Sequence, residues 1–97
     1  MRKRNTESLG EALRQYFEEN PFFRRKIAES RAVTGWQTLL GSMISSYTTN
    51  IYLRNNILYV SLSSAALRAE LQMAKDRLIS KLNEHAGMHV INDIVFR

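Results

Sequence analysis

The sequence of 97 residues contains no cysteine, only one proline and only four glycines. Without cysteine the chain forms neither a disulfide nor a thiolate metal site, so its stability has to come from packing. The glycines are scattered, and none of their spacings brings several backbone N–H groups onto one phosphate. The most apolar region, residues 51–71, is interrupted by asparagine, serine and charged residues. It therefore falls short of the ~20 apolar residues that a membrane-spanning helix needs.

Residues that perform catalysis are equally scarce. The two histidines, His85 and His89, lie on either side of the helix end that Gly87 predicts, so they do not share one helix face as metal ligands would. No nucleophile motif is present, and nothing in the sequence assembles an acid, a base and a nucleophile. The sequence therefore predicts a protein that is not an enzyme and that holds no metal and no cofactor.

Positive charge is what the sequence has in excess, since 14 lysines and arginines stand against nine aspartates and glutamates, a net charge of +5. Such a balance favours polyanionic partners by long-range attraction. The basic residues cluster at residues 2–4, at residues 24–26 and in the segment that contains Arg68 and Lys75. In each place they either contact the phosphates of a nucleic acid or serve as solubilising surface charges. The candidate phosphate-binding residues are Arg2, Lys3, Arg4, Arg24, Arg25, Lys26, Arg68 and Lys75.

Apolar residues at helical spacing predict a first helix from Thr6 to about Glu19, preceded by a flexible basic arm of residues 1–5. Asn20 and Pro21 then predict a helix junction. Asparagine suits the N-cap, and proline, which lacks an N–H, suits the first position of a second helix.

A further short helix is predicted from about Thr34 to Ser46, with Gly35 at the break before it. Gly41 lies inside this helix, where glycine is costly, and we expect it to permit the close approach of another backbone. Trp36 heads the apolar stripe. It is typical of a core residue, but an exposed tryptophan here would be an anchor for a protein partner.

Two β-rich runs, residues 49–54 and 57–63, flank Asn55-Asn56 and predict a hairpin, because asparagine tolerates the positive φ of a two-residue turn. The turn fixes the register, so that Tyr52 faces Tyr59 across the strands. Aliphatic side chains share the other face of the hairpin and need a covering layer.

The two tyrosines have two interpretations. Tyr52 and Tyr59 would stack unpaired bases, with Arg54 nearby for a phosphate, if their face of the hairpin is open. Alternatively, aromatic residues of the first two helices cover them, and the tyrosines are then ordinary strand residues.

A long helix with a leucine stripe is predicted to start at Ser63 or Ser64, end at Gly87 and cover the hairpin. Residues 90–96 are predicted as a third strand, parallel to the second, with its neighbour in the sheet left open. The fold class is therefore α+β, with N-terminal helices, a β-hairpin, a long helix and a third strand forming a three-stranded sheet covered by helices. We expect a single domain over residues 6–97.

From the short helix to the last strand, a series of residues occurs in a recognisable order. The series is Trp36, Gly41, Ile44, Thr48, the hairpin, Val60-Ser61-Leu62-Ser63-Ser64, Leu67, Glu70-Leu71, Leu82-Asn83 and Ile94-Val95-Phe96-Arg97. Over residues 36–97 it resembles the DciA family. The resemblance implies a bacterial protein that assists loading of the replicative DNA helicase, with a KH-like domain and affinity for single-stranded DNA. The Gly-x-x-Gly loop of KH domains is missing, so any nucleic-acid contact would use side chains.

Charge and resemblance together predict a non-catalytic replication accessory that binds the replicative helicase and single-stranded DNA. We expect a cytoplasmic protein without a signal peptide, because polar residues 5–8 follow the basic start of the chain. Two alternatives are a general binding module for single-stranded RNA or DNA, and a structural protein-interaction domain.

Overall fold

Helices and a single sheet make up the computed structural model, which describes the backbone of residues 2–97 and the side chains of residues 8–97. The elements are α1 (Arg2–Glu19), α2 (Pro21–Ser46), β1 (Thr48–Arg54), β2 (Ile57–Leu62), α3 (Ala65–Met73), α4 (Lys75–Ala86) and β3 (Asp93–Phe96). The strand order is β1-β2-β3, with β1 antiparallel and β3 parallel to β2. This confirms the α+β class and the parallel third strand, and it places that strand beside β2.

The first helix begins earlier than the sequence predicts. α1 starts at Arg2 instead of Thr6, since nothing in residues 2–5 stops a helix. The backbone of residues 2–5, predicted to precede the first helix, is therefore part of α1. The side chains of Arg2, Lys3 and Arg4, predicted to contact nucleic acid, lie outside the described side chains.

The junction between α1 and α2 is the one predicted. The Asn20 side chain caps α2 by accepting hydrogen bonds from the backbone N–H groups of Phe22 at 3.0 Å and Phe23 at 3.4 Å, and Pro21 follows at the start of the helix. Beyond this junction α1 projects from the rest of the molecule, and all of residues 8–19 are exposed. The radius of gyration is 17.0 Å, against about 13 Å for a compact chain of 100 residues.

The two glycines of α2 exchange their predicted roles. Gly35 does not break the helix; it is buried, and a Cβ there would lie 2.7 Å from Cδ2 of His85 on α4. The helix is instead interrupted at Gly41, whose φ of 84° and ψ of 174° are a backbone conformation that residues other than glycine rarely adopt. Apart from the neighbouring backbone of α2 itself, no described heavy atom lies within 4 Å of the Cβ position of Gly41. The expected close approach is therefore at Gly35, and Gly41 serves a change of direction.

The hairpin matches its prediction in detail. Asn55 and Asn56 have φ of 53° and 66°, and the register pairs Tyr52 with Tyr59. The strands differ from the prediction by one residue at one end each, and an irregularity between Thr48 and Asn50 shifts the register there.

The long helix of the prediction is two helices. Ser64 caps α3 by accepting from the Leu67 N–H at 3.2 Å, as expected, but the helix ends at Met73, and α4 begins directly after the C-cap residue Ala74. No glycine or proline occurs in residues 72–76, so the division has no local signal. It lets α3 pack on β2 and β3 while α4 packs on α2. Gly87 ends α4 with a φ of 79°, as predicted.

The third strand is shorter than predicted because a side chain of α4 binds the backbone before it. Asn83 Oδ1 accepts from the N–H groups of Val90 and Ile91, both at 2.9 Å, and Asn83 Nδ2 donates to the Ile91 carbonyl at 2.9 Å. Residues 90–92 are therefore held as a loop, and β3 starts at Asp93.

The core lies between the helices and one face of the sheet. Its largest buried side chains come from α2, β2, α4, β3 and the loop before β3. They are Trp36, Leu58, Val60, Leu82, Val90, Ile91 and Ile94.

Candidate nucleic-acid interface

The sheet has a second face that the core does not use, called the open face below. Alternation along the strands places nine side chains on it, and none is fully buried. They are Asn50, Tyr52, Arg54, Ile57, Tyr59, Ser61, Asp93, Val95 and Arg97. Arg97 follows β3 but continues its pairing, because its N–H donates to the Val60 carbonyl and its carbonyl accepts from the Leu62 N–H, both at 2.8 Å.

Two tyrosines and an arginine form the centre of the open face. The rings of Tyr52 and Tyr59 are stacked, with centroids 4.8 Å apart and planes 15° from parallel. Arg97 comes from the strand on the other side of β2, where its guanidinium carbon lies 4.8 Å from the centroid of the Tyr59 ring. Its Nη1 also donates to the Tyr52 hydroxyl at 3.3 Å. Tyr59 is thus half-buried between its neighbours, whereas Tyr52 is 37% exposed.

The aromatic residues of the N-terminal helices contact one another instead of covering the open face. Phe17 of α1 lies against Tyr16 and against Phe23 of α2, and Phe23 lies against Phe22, with centroids 4.8 to 5.8 Å apart. Of the two interpretations of the hairpin tyrosines, the one in which these rings cover them is therefore wrong. Arg97 is the partner that sequence reasoning missed, and a strand continuing to the last residue was the signal for it.

The open face carries both positive and negative charges. The two ion pairs among the described side chains do not include Arg54, which is exposed next to the turn. Asp93 lies on the same face, and its carboxylate accepts from Lys75 Nζ at 3.1 Å and from the Ile94 N–H at 2.8 Å. These hydrogen bonds, that of Lys75 first, hold the pKa of Asp93 below its usual value.

The basic residues of the C-terminal helices are less available than predicted. Lys75 is half-buried, and its ammonium group forms an ion pair with Asp93. Arg68 is also half-buried, and its Nε is fully buried without a hydrogen-bond partner among the described atoms. They do not form an exposed flank, because α3 packs against the sheet and α4 starts beside Asp93, the first residue of β3.

The basic cluster of α2 is divided. Lys26 pairs with Glu29 at 3.7 Å and lies over the Phe22 ring. It also lines a groove of about 400 Å³ that reaches Tyr52 along the free edge of β1. Arg24 lines a different groove, of about 300 Å³, beside the end of α4, and Arg25 is half-buried. Lys26 is therefore the member of this cluster that the structure brings close to the tyrosines.

Comparison with protein-family models matches residues 8–96 to one family, described as the Dna[CI] antecedent, DciA. The chain belongs to the DciA family. The match takes in α1 from residue 8 onwards and all of α2, well beyond the residues on which the resemblance rests. No curated protein and no solved structure matches the chain.

DciA membership implies a role related to loading of the replicative helicase in DNA replication. The family consists of loading or accessory proteins and is not known for catalysis. In this DciA chain, the side chains that the structure describes contain no group of three or more His, Asp or Glu able to hold a metal ion. None of the helices in residues 2–97 is long and apolar enough to cross a membrane.

Trp36 does not lie on the surface of this DciA protein. It is 2% exposed, its Nε1–H donates to Thr48 Oγ1 at 3.0 Å, and its ring centroid lies 6.2 Å from that of Phe96. The interpretation of Trp36 as a core residue is therefore confirmed, and it is not accessible as an anchor for a partner.

Proposed function

We propose that this DciA protein is a non-catalytic accessory of helicase loading that holds single-stranded DNA on the open face of its sheet. Family membership supports the part of the proposal that concerns the helicase. The stacked contact of Tyr52, Tyr59 and Arg97 is the observation that carries the part that concerns DNA.

Tyr52 is the ring on which an unpaired base would stack. Base–aromatic stacking needs a flat, accessible ring that is already held in place, because ordering the ring then costs nothing on binding. Tyr59 and the hydrogen bond from Arg97 hold Tyr52 at the edge of the pair. A base on its outer side would extend a stack that the protein has already started.

Two arginines near Tyr52 support a role for the open face in binding the phosphates that flank such a base. Arg54 lies two residues along β1 from Tyr52, on the same face and without an acidic partner among the described side chains. Arg97 keeps further guanidinium donors while it binds Tyr52. The groove beside β1 continues this surface towards Lys26.

Binding of a fluorescent single-stranded DNA, followed by anisotropy, tests the proposal. Tyr52→Leu keeps an apolar strand residue but removes the stacking ring, so we expect the Kd to rise roughly 5- to 150-fold. Tyr47→Leu is the matched control, because Tyr47 is an exposed tyrosine before β1 and outside the open face. Equal affinities of the two variants would contradict the open-face site.

The salt dependence of binding counts the phosphate contacts. With Arg54 and Arg97 as the two contacts, we expect log K to fall with log salt at a slope of about −1.4, since each contact contributes about −0.7 on a single strand. A slope twice as steep would contradict a site of two arginines. The same series with RNA of equal sequence separates a DNA-binding protein from the general single-strand module, which would show no preference.

The helicase part is tested on its own by a pull-down with the replicative helicase of the same organism. We expect a complex at micromolar concentrations without DNA, and no complex would contradict the proposed partner. A role in loading that helicase would place the protein in the cytoplasm, with the chromosome.

A further inference from the structure

An apolar surface runs from α1 onto the start of α2 and is called the ridge below. Its seven side chains are exposed, and the four aromatic ones alone leave on the order of 400 Å² uncovered. That is already as large as the greatest apolar patch of a typical monomer. The ridge consists of Leu9, Leu13, Tyr16, Phe17, Phe22, Phe23 and Ile27.

The charges of α1 are arranged against its own dipole. A helix favours acidic residues in its first turn and basic residues in its last, as α4 shows with Asp76 and His85. α1 has no acidic residue in its first turn and no basic residue in its last. Its sequence is basic at residues 2–4 and ends in Glu18 and Glu19. An isolated helix is destabilised by such an order. Neither of the two ion pairs among the described side chains involves α1.

We infer that the ridge binds the ridge of a second copy of this chain, with the two α1 helices antiparallel. In that orientation the basic start of each α1 lies beside the acidic end of the other, and the two helix dipoles point in opposite directions. A register with Leu9 opposite Leu13 also places Glu18 opposite residue 4 and Glu19 opposite residue 3. The pairing is self-complementary, as a twofold interface requires. With about 800 Å² per partner as the usual size of a stable interface, the aromatic side chains supply about half.

The space beside Gly10 of α1 is consistent with the packing of a second helix against α1. Gly10 lies in the middle of α1, and apart from the neighbouring backbone of α1 itself no described heavy atom comes within 4 Å of its Cβ position. No packing contact within the described molecule therefore requires a glycine here, although glycine costs about 1 kcal/mol relative to alanine in a helix. Beside Ala12 of the second copy it would let the two backbones approach.

Sedimentation and light scattering of the full chain, from about 1 to about 200 µM and without DNA, test the inference. We expect a dimer whose population grows with concentration, and a monomer throughout this range would overturn it. Leu13→Glu places a charge in both halves of the interface, so the Kd of the dimer should rise more than about 100-fold. Met43→Glu is the matched control, because Met43 is also an exposed apolar residue but lies near the far end of α2; it should leave the dimer unchanged.

Charge reversal tests the antiparallel orientation. Glu18→Lys with Glu19→Lys should weaken the dimer about tenfold or more while raising the helix content of the monomer, because the reversal favours the dipole of α1. Adding Lys3→Glu and Arg4→Glu to the same chain should restore the dimer. A reversal that leaves the dimer intact, or a quadruple variant that stays monomeric, would overturn the antiparallel pairing. If the chain is monomeric throughout and Leu13→Glu abolishes its binding to the helicase, the ridge belongs to that partner instead.

Discussion

Asn83 makes more hydrogen bonds to the backbone outside its helix than any other described side chain, and its removal should destabilise the protein strongly. Asn83→Ala takes the acceptor away from the N–H groups of Val90 and Ile91, two residues that are 0% exposed. Each buried N–H left without a partner costs about 1–3 kcal/mol. Some water will enter beside the shortened side chain, so we expect a loss of about 3 kcal/mol.

Urea unfolding followed by circular dichroism measures this loss. With a slope of about 1–3 kcal/mol per molar urea for a small protein, the midpoint should fall by more than about 1 M. The expected loss is a large part of the about 5–15 kcal/mol by which a domain is usually stable. The effect is also local, so the amide protons of Val90 and Ile91 should exchange faster before global unfolding begins.

Two further variants separate the effect of the Asn83 hydrogen bonds from a general effect of losing an asparagine. Asn92→Ala makes the same change in the same loop, but the Asn92 side chain is exposed and bonded only to His89, so it should cost less than about 0.5 kcal/mol. Asn83→Asp keeps the acceptor and loses the donor to the Ile91 carbonyl, so it should lie between the wild type and Asn83→Ala. If Asn83→Ala and Asn92→Ala unfold at the same urea concentration, the reasoning is refuted.

The remaining predictions concern α3 and the ion pair of the open face. Leu71 is buried between α3 and the sheet, so Leu71→Ala should lower the free energy of unfolding by about 2–5 kcal/mol, and a loss below 1 kcal/mol would show that this contact is dispensable. Asp93→Asn should cost a few tenths of a kcal/mol at about pH 7, because the carboxylate is 48% exposed. Since folding lowers the pKa of Asp93 below 3.8, the stabilisation is complete above that value and is lost as the pH falls through the pKa of the folded state. A difference between wild type and Asp93→Asn that grows towards about pH 3 would contradict this.

The sequence predicts well those parts of the fold in which a residue type has a single structural role that its immediate neighbours in the sequence decide. Asn20-Pro21, the Asn55-Asn56 turn and Gly87 each appear where they were expected, because capping and positive φ are decided within a few residues. The stacked tyrosines follow from the same turn, since its length alone sets the register of Tyr52 and Tyr59.

The parts that the sequence does not predict depend on contacts between distant residues. A glycine in a helix indicates that something is unusual, but only the packing of α4 shows that Gly35 is the close approach and Gly41 the kink. The division at Ala74 and the late start of β3 have the same origin. One follows from two helices with different neighbours, and the other from Asn83, whose bonds span seven and eight residues.

The candidate site shows why basic clusters in a sequence are weak guides to a binding surface. Lys75 and Arg68 have the spacing of an exposed flank, but one neutralises Asp93 and the other inserts its stem into the protein. Arg97 has no cluster around it in the sequence, yet strand pairing brings it onto Tyr59. Position across the sheet, more than the density of charge along the chain, therefore decides which cations a DNA strand would meet on the open face.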